Sequence, residues 1–520
     1  MSLIDLLWEG VPAPAHVKIA AFKRVHADPG IPSTRSTDSF WLADKHPQFD
    51  GEPTAPLPEE AFCVIIGSGI TGASAARNIV RTRLGAEGEK LTSEARNGNI
   101  VMLDAREVVG GATGRNGGHV NEVAYSEYPY FKAVYGKEAA QKIMRFRIGH
   151  LAETVKMAEE EGLTEVGQVR KVTTESVAFD AGAWKEMLEN LEVFKKDFGE
   201  EVDEWRAVHK EDLKNHGTET ADGIILSPAG AAWPYRLLTS LYANLTKDDK
   251  NFSVFPFTPV TKIERNNDTS YLVITPRGII KTKHILHATN SHVGHHLPGL
   301  RARVMPLRGQ MSAQTPPSTF EFRGDNTSWS FGYQVGFDYL TQLPKDTPSK
   351  DKDLVEGQEM MFGGGLVQAR HHGFEELGVV DDSVLNPTIG QHLSIMLNKA
   401  FTCAKDEPFI VKSMWTGIMG FSTDGQPWVG RVPESATGRK TPAKETKADD
   451  AVPSGEWVAA GYSGEGMVQA WGCGKAVSMM ILGLEEQTKS WFPEQFIITE
   501  KRLAEQAFDK HVKVPEAVKL

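Results

Sequence analysis

The spacing of apolar positions changes along the chain, and the changes mark its elements. Residues 1–60 are rich in proline and polar residues and lack sustained periodicity, so they read as an arm lying on the protein surface rather than a domain. At Ala61 the pattern changes. AFCVIIG (61–67) is a short unbroken apolar run, as a parallel strand buried on both faces requires. GSGITG follows, then ASAARNIVRTRL, which has small residues at helical spacing. NIVMLDA (99–105) predicts the next buried strand. Residues 131–162, 183–199 and 386–402 predict helices. SVFPFTPV, YLVITPRG and KHILHATN give mixed strand signals over 252–290. VMPLRGQMSAQ, YQVGFDYLTQLP and EMMFGGGLV predict a largely antiparallel sheet over 301–370. Residues 411–485 return to small, glycine-rich apolar text and end in a helix, MVQAWGCGKAVSMMILGL. Two charged stretches rich in glycine and proline, 344–358 and 433–455, read as surface loops.

Composition narrows the class. A chain of 520 residues has room for two to four domains. Its 40% hydrophobic and 24% charged residues are ordinary for a soluble globular enzyme. A net charge of −11 disfavours nucleic acid and anionic membrane as partners. No apolar run is long enough to span a membrane, and no basic start leads into a long apolar run. The expected location is therefore cytoplasmic, and the sequons at Asn244, Asn251, Asn267 and Asn326 carry no weight. Val518-Lys519-Leu520 matches the peroxisomal Ser-Lys-Leu address only in part. Cys63, Cys403 and Cys473 lack CxxC spacing, which argues against disulfides and structural zinc; no metal site is expected. Cys63, inside a buried strand, reads as core.

The candidate chemistry starts at Gly67-Ser68-Gly69-Ile70-Thr71-Gly72. In a strand–turn–helix, the first glycine allows the tight turn, the second lets backbone approach a diphosphate, and the third lets helix and sheet pack closely. The helix N-terminus then offers free N–H groups to the phosphates. An acidic residue ending the next strand should grip ribose hydroxyls, and Asp104 stands there. It lies 32 residues past Gly72 (104 − 72), against a usual spacing of about 20. The excess fits a surface insertion at 85–99, since doubling a loop costs only about 0.6 kcal/mol. A third segment, GGATGRNGGH (110–119), suits close backbone approach to a planar ring or a diphosphate.

Together these segments resemble the FAD-dependent oxidoreductases of the D-amino-acid oxidase, glycine oxidase and sarcosine oxidase superfamily. ATGRNGG, and SFWLADKHP in the arm, are most similar to the branch of gamma-glutamylputrescine oxidase-like and fungal amine oxidases. The resemblance runs from about Ser39 to Leu484, with VMPLRGQM, YQVGFDYLTQLP with MFGGG, WTGIMGFSTDGQPWVG and GYSGEGM in family order. It implies an α/β fold: a Rossmann-type FAD-binding domain with an inserted α+β substrate domain carrying a largely antiparallel sheet. The expected division gives 61–125, 225–300 and 405–490 to the FAD domain, 126–224 and 301–404 to the substrate domain, and 491–520 to a tail. FAD is expected to contact Gly67, Ser68, Gly69, Ile70, Thr71 and Gly72, then Asp104, Ala105 and Arg106. Further contacts are expected from Gly111, Ala112, Thr113, Arg115, Asn116, Gly117 and Gly118, from Val260 and Thr289, and from Gly464, Glu465, Gly466 and Met467.

The departures from the family pattern bear on substrate. Glycine oxidase-like enzymes carry an arginine where this chain has Met419, and sarcosine oxidase-like enzymes a lysine where it has Val468. A carboxylate in a desolvated pocket without a charged partner is costly. The expected substrate is therefore an amine or amine-bearing metabolite not gripped as a small amino acid. Glu465 replaces the histidine common in its turn and offers a site for a remote cationic amine. Arg308, Tyr333, Tyr339 and Met419 are the other candidates for the substrate pocket, with Arg370 and His371 as further basic anchors. His119 is a weak candidate for covalent flavin attachment, and Trp415 and Trp428 are expected to shape the flavin environment. The resemblance implies hydride transfer from the amine's α carbon to flavin N5, hydrolysis of the imine, and reoxidation by oxygen to hydrogen peroxide. An electron-passing dehydrogenase, a secondary-metabolite tailoring oxidase and a flavin monooxygenase remain as alternatives. No catalytic acid or base is identified.

Overall fold

The computed structural model describes residues 13–218, 220–266, 269–333, 336–405, 407–441 and 452–512. In chain order, α1 (Ala15–His26) precedes β1 (Glu60–Ile66), α2 (Ile70–Leu84), β2 (Ile100–Leu103) and β3 (His119–Asn121). Then come α3 (Ala124–Tyr135), α4 (Lys137–Glu160), β4 (Arg170–Ala178), α5 (Ala181–Phe198), β5 (Arg206–His209), β6 (Gly223–Ala231) and α6 (Pro234–Asp248). Four strands follow: β7 (Phe252–Phe255), β8 (Lys262–Arg265), β9 (Tyr271–Thr275) and β10 (Gly278–His287). The rest comprises β11 (Val304–Thr315), β12 (Thr327–Gly332), β13 (Phe337–Gln342), β14 (Met360–Gly364), α7 (Pro387–Ala400), β15 (Ile410–Ser422), β16 (Trp428–Arg431), β17 (Gly455–Ala460) and α8 (Ala470–Ile481).

Two sheets organise these elements. The first has the order β16-β17-β10-β1-β2-β7, with β17, β10, β1, β2 and β7 all parallel and β9 and β8 added antiparallel beside β10. The unbroken apolar runs of β1 and β2 are buried as parallel strands require. The second sheet has the order β15-β11-β14-β13-β12-β4-β6-β3, with β5 beside β6, and is antiparallel except where β12 meets β4. This is the expected α/β arrangement of one parallel and one largely antiparallel sheet.

Several expectations differ from what the structure shows. The helix expected over 131–162 is two helices, because Gly136 takes φ +83 between α3 and α4. The helices starting near 183 and 386 begin where Asp180 and Asn386 cap them with side-chain acceptors. The expected division at 125, 225 and 405 cuts across the sheets. Strands β3, β6 and β15, placed with the cofactor domain by sequence, all pair within the second sheet. The calls on Asn267, on the 442–451 part of the loop, and on Val518-Lys519-Leu520 lie outside the described residues. Among the described residues, no helix is long and apolar enough to cross a membrane.

The arm is more than a surface strap. Phe40, Trp41, Leu42 and Phe49 are buried in the main core. Trp41 makes an edge contact with Trp233 at 5.1 Å between ring centroids, donates to the carbonyl of Asn116 and accepts from the Trp233 indole at 2.9 Å. The proline-rich text hid three adjacent apolar residues too few to show a period. Trp41→Ala is expected to destabilise the protein by about 3–5 kcal/mol, the range for truncating a buried aromatic. Urea unfolding would measure it, and a loss below about 1 kcal/mol would contradict the arm's place in the core.

Candidate functional site

The site is built from the turn outward. Gly67 has φ +108, and a Cβ there would stand 2.5 Å from the carbonyl oxygen of Ala288 in the adjacent strand's exit. A Cβ on Gly72 would stand 2.1 Å from the carbonyl oxygen of Gly67. Both contacts are to backbone that cannot move aside, so α2 starts directly against the end of β1. Its first N–H groups have no partner within the helix, and Ile70 N donates to Thr113 Oγ1 at 3.1 Å. Gly67 through Thr71 line a chamber, while Gly72 stays behind it as packing.

Asp104 lines the same chamber with Leu103, Ala105 and Arg106. Its Oδ2 accepts from Ser68 N at 2.9 Å and Ser68 Oγ at 2.5 Å, and its Oδ1 from Arg106 N at 3.1 Å. Burial raises its pKa against the pull of these bonds. A carboxylate offers about four acceptor positions, so one remains after the three bonds. The expected ribose grip is thus narrowed to a single further hydrogen bond.

Gly111, Ala112, Thr113, Arg115 and Asn116 also line the chamber. Arg115, expected to face the cofactor, is instead a buried clamp. Its guanidinium donates to the carbonyls of Gly110, Thr37 and Thr416 and to Ser36 Oγ. Arg106 spends its donors on Asp382 and the Gly110 carbonyl. Gly117 and Gly118 are not in the lining; a Cβ on Gly117 would strike the Tyr339 ring at 2.7 Å.

The far wall holds Val260 and Thr289, as expected, with Thr258, Ala288, Asn290, Ser291, His292, His295 and His296. Gly30, Ile31 and Pro32 of the arm complete it. His292 Nδ1 lies 3.0 Å from the Gly30 carbonyl and His296 Nε2 lies 3.1 Å from the Val260 carbonyl. Burial pushes the two imidazoles down, to about 4 and about 3, so both are neutral at pH 7. The histidines follow the carboxyl end of β10, and the rule that ligands bind beyond the carboxyl ends of parallel strands would have found them. No sequence signal pointed to Gly30–Pro32.

The opposite end of the chamber is formed by Gly309, Gln310 and Met311 of β11, Tyr339 of β13, and Gly417, Ile418, Met419 and Gly420 of β15. Tyr462, Gly464, Gly466, Met467 and Ala470 close it. The 461–467 turn is pinned by Ser463, which takes φ +53, donates its N–H to the Gly420 carbonyl at 2.8 Å and accepts from Ser422 N at 3.0 Å. Of the substrate-pocket candidates, the structure places Tyr339 and Met419 in the lining and three others outside it. Arg308 is paired with Glu376 and donates to the Asp381 carbonyl, because its side chain points away from Gly309 and Met311. Tyr333 donates to Asp338 at 2.8 Å and stacks on Phe179 in a separate apolar cluster. Glu465, expected as a cofactor contact and in the substrate pocket, is instead turned to Arg147, 3.7 Å away, and lies outside the lining.

The remaining candidates also have structural partners. Arg370 is exposed and His371 takes φ +52 beside it, and neither reaches the lining. His119 lies in the second sheet against the hydroxyls of Thr174 and Ser328, at 3.0 and 2.8 Å. Trp415 donates to the Arg115 carbonyl at 2.8 Å, supporting the glycine loop from behind. Trp428 packs under Arg502, 4.0 Å from the ring centroid, away from the chamber. The helix N-terminus, the strand-end carboxylate and the glycine-rich loop around one chamber fit a diphosphate-linked dinucleotide.

Comparison with known proteins gives the same frame. The DAO family, described as FAD dependent oxidoreductase, matches residues 63–480. "Probable oxidoreductase OrdL" of Rhizobium meliloti is 23% identical over 278 residues, covering 53% of this chain and 60% of that protein. The chain thus spans about 60% of that relative's length. The crystal structure of glycine oxidase from Geobacillus kaustophilus is similar with TM-score 0.61 at 16% identity, over 85% of this chain and 99% of that one. L-proline dehydrogenase from P. horikoshii gives TM-score 0.56 at 19% identity, over 85% and 98%. L-amino acid deaminase from Proteus myxofaciens gives 0.58 at 14%, over 90% and 99%. At these identities the structural likenesses establish the shared fold.

Gly72→Ala is expected to force α2 away from β1 and to leave the purified protein with less than about a tenth of the wild-type flavin content, a loss of more than 1.4 kcal/mol in binding. Absorbance near the flavin maximum against protein absorbance measures it, and a fully yellow variant would contradict the close packing.

Proposed function

The chain belongs to the DAO family of FAD dependent oxidoreductases, and from that premise we propose that it oxidises the carbon–nitrogen bond of an amine it does not hold by a carboxylate. In this reading Gly67–Thr71 and the 111–116 loop hold the diphosphate region. Asp104 accepts one ribose hydroxyl, Val260 and Thr289 line the nucleotide end, and Gly464, Gly466 and Met467 bound the ring system. When bound, the flavin supplies a two-electron acceptor for hydride leaving the carbon next to nitrogen.

The observation that carries the substrate reading is the fate of the cations. The arginines in the described lining are Arg106 and Arg115, and both are committed to Asp382 or to carbonyls. At the end bounded by the second sheet, the side chains include Gln310, Met311, Tyr339, Ile418, Met419, Tyr462 and Met467. A carboxylate brought there would lose water without gaining a cation. The same desolvation lowers an amine's pKa and favours its neutral form, which needs no general base before losing hydride. Tyr339 is no base in this reading: burial, and then the charges of Asp338 and Glu465, raise its phenol pKa, and its hydroxyl points at Met311 Sδ, 3.1 Å away. Hydrolysis of the resulting imine gives a carbonyl compound and an amine. We assign oxygen as the second substrate, returned as hydrogen peroxide.

Anaerobic bleaching of the flavin across a substrate panel tests this. Amines without a carboxylate are expected to reduce it at least about tenfold faster than glycine, sarcosine or D-alanine, since 1.4 kcal/mol of uncompensated burial already gives that ratio. Equal rates would defeat the reading. Met419→Arg should move the ratio towards the amino acids, because its side chain stands in the lining against Gly309. Mixing reduced enzyme with oxygen in stopped flow tests the acceptor, and reoxidation much slower than turnover would assign a dehydrogenase instead.

A further inference from the structure

Beside the chamber lies a cluster of charge that the proposed chemistry does not use. Glu122 follows β3, and its Oε2 accepts from Arg147 Nε of α4 at 2.6 Å. Arg147 Nη1 is 2.5 Å from Glu127 of α3, and its Nη2 is 3.7 Å from Glu465. Three carboxylates thus surround one guanidinium. Arg147 and Glu122 are fully buried, whereas the Glu465 side chain keeps 32% of its exposure. Glu465 sits between Gly464 and Gly466, which both line the chamber.

The other groups facing the cluster add no positive charge. His150 of α4 accepts from Gly472 N at 2.9 Å through Nε2, which leaves its proton on Nδ1 towards the Phe146 carbonyl, and burial pushes its pKa down to about 4. From α3 the charged neighbour is Glu127, and from β13 Tyr339 lies within the field of Glu465. With all three carboxylates ionised, the site would carry two uncompensated negative charges in a poorly solvated place. The second oxygen of Glu122, Oε1, is buried and has no hydrogen-bond partner among the described residues. Leaving such an oxygen without a partner costs an ionised carboxylate far more than a neutral carboxylic acid.

We propose that Glu122 and Glu465 hold one proton between them under Arg147, and that this pair takes up further proton when the flavin in the adjoining chamber is reduced. The inference rests on FAD occupying the chamber and is independent of which amine is oxidised. Electrons added to the flavin make nearby negative charge less favourable, so they raise the proton affinity of any carboxylate close by. The partly exposed Glu465 gives the pair a route to exchange protons, and the buried Glu122 keeps the site from being screened by water. Burial foremost, then the neighbouring carboxylates, pushes Glu122 up to about 8 and Glu465 up to about 7 against the opposing pull of Arg147.

The test is the midpoint potential of the bound flavin as a function of pH, set electrochemically so that no substrate is needed. The wild type is expected to show a steeper fall with pH in a window that opens near pH 7, where the pair begins to lose protons with the flavin oxidised, and closes at the higher pH where the pair loses them with the flavin reduced. Glu122→Gln and Glu465→Gln should both lose that steeper interval. An identical profile in wild type and both variants, all with flavin bound, overturns the proposal. Where a variant does not fold, the wild type decides alone: its reduced-minus-oxidised infrared spectrum should show a change in a protonated carboxyl band near neutral pH, and no such change overturns it. A protein that bound no FAD would instead defeat the cofactor assignment.

Stability gives an independent readout. The folded chain raises the Glu122 pKa above its ordinary 4.5, so the stability linked to its proton is complete below about pH 4.5 and is lost as pH rises through about 8. Glu122→Gln removes that dependence. The melting temperature of the variant minus that of wild type should therefore rise steadily from pH 5 to pH 8, and a flat difference would show that Glu122 is ionised throughout.

Discussion

The contact on which the rest depends is the absence of any side chain where α2 meets β1. With Gly72 against the Gly67 carbonyl, the helix axis comes close enough to the sheet for its first turn to open on the chamber. The last helix uses the same closeness from the other side. A Cβ on Gly474 of α8 would stand 2.4 Å from the Thr71 carbonyl, and Ser74 Oγ donates to the Trp471 carbonyl at 2.5 Å. Thr71 Oγ1 and the Tyr462 hydroxyl meet at 2.7 Å. The glycine turn at 67–72 and the 461–467 turn, almost 400 residues apart, are therefore fixed by one helix pair, and with them the two ends of the chamber.

A second constraint is how positive charge is distributed. Arg106 Nη1 donates to both oxygens of Asp382, which also lies 3.7 Å from Arg115, and Glu376 holds Arg308. These ion pairs tie Arg106, Arg115 of the glycine loop and Arg308 of β11 to the segment carrying Glu376 and Asp382, and all three arginines are residues a sequence reading would place at the cofactor or substrate. The cations are consumed in building the chamber walls, so the space between the sheets is left with thioether, aromatic and amide groups. Under the proposed function, substrate selection there would rest on shape and desolvation more than on ion pairing.

The cofactor half of this arrangement was legible because it depends on short, local signals: an apolar run, three glycines at fixed spacing, and a carboxylate at the next strand end. Asp104 was found even with an insertion lengthening its spacing to 32 residues from the usual value of about 20, because a strand-end position survives changes in loop length. The substrate half was less legible. Strands β4 and β6 include polar and small residues, among them Pro228, and gave no period. The assignment of β15 to the second sheet depends on its pairing with β11, more than 100 residues earlier, which no local pattern records. The same applies to Arg308 and Tyr333. Both fall in the right strands or their flanks, but side chains alternate faces along a strand, so nearness in sequence to Gly309 or Tyr339 does not place them in the chamber.

Glu465 shows how the sequence and the structure assign different work to one residue. Read in its turn, it is a lone acid beside a cofactor site and invites a cationic substrate. In the fold, Arg147 already occupies the position a substrate ammonium would take, and it is held there by Glu122 and Glu127 at hydrogen-bonding distance. An incoming ammonium would have to share Glu465 with a guanidinium that cannot leave without stranding two other carboxylates. A proton faces no such competition, since it needs no space and relieves the excess negative charge instead of redistributing it. Three acids around one base, walled on one side and accessible on the other, are better suited to exchanging protons than to gripping a substrate.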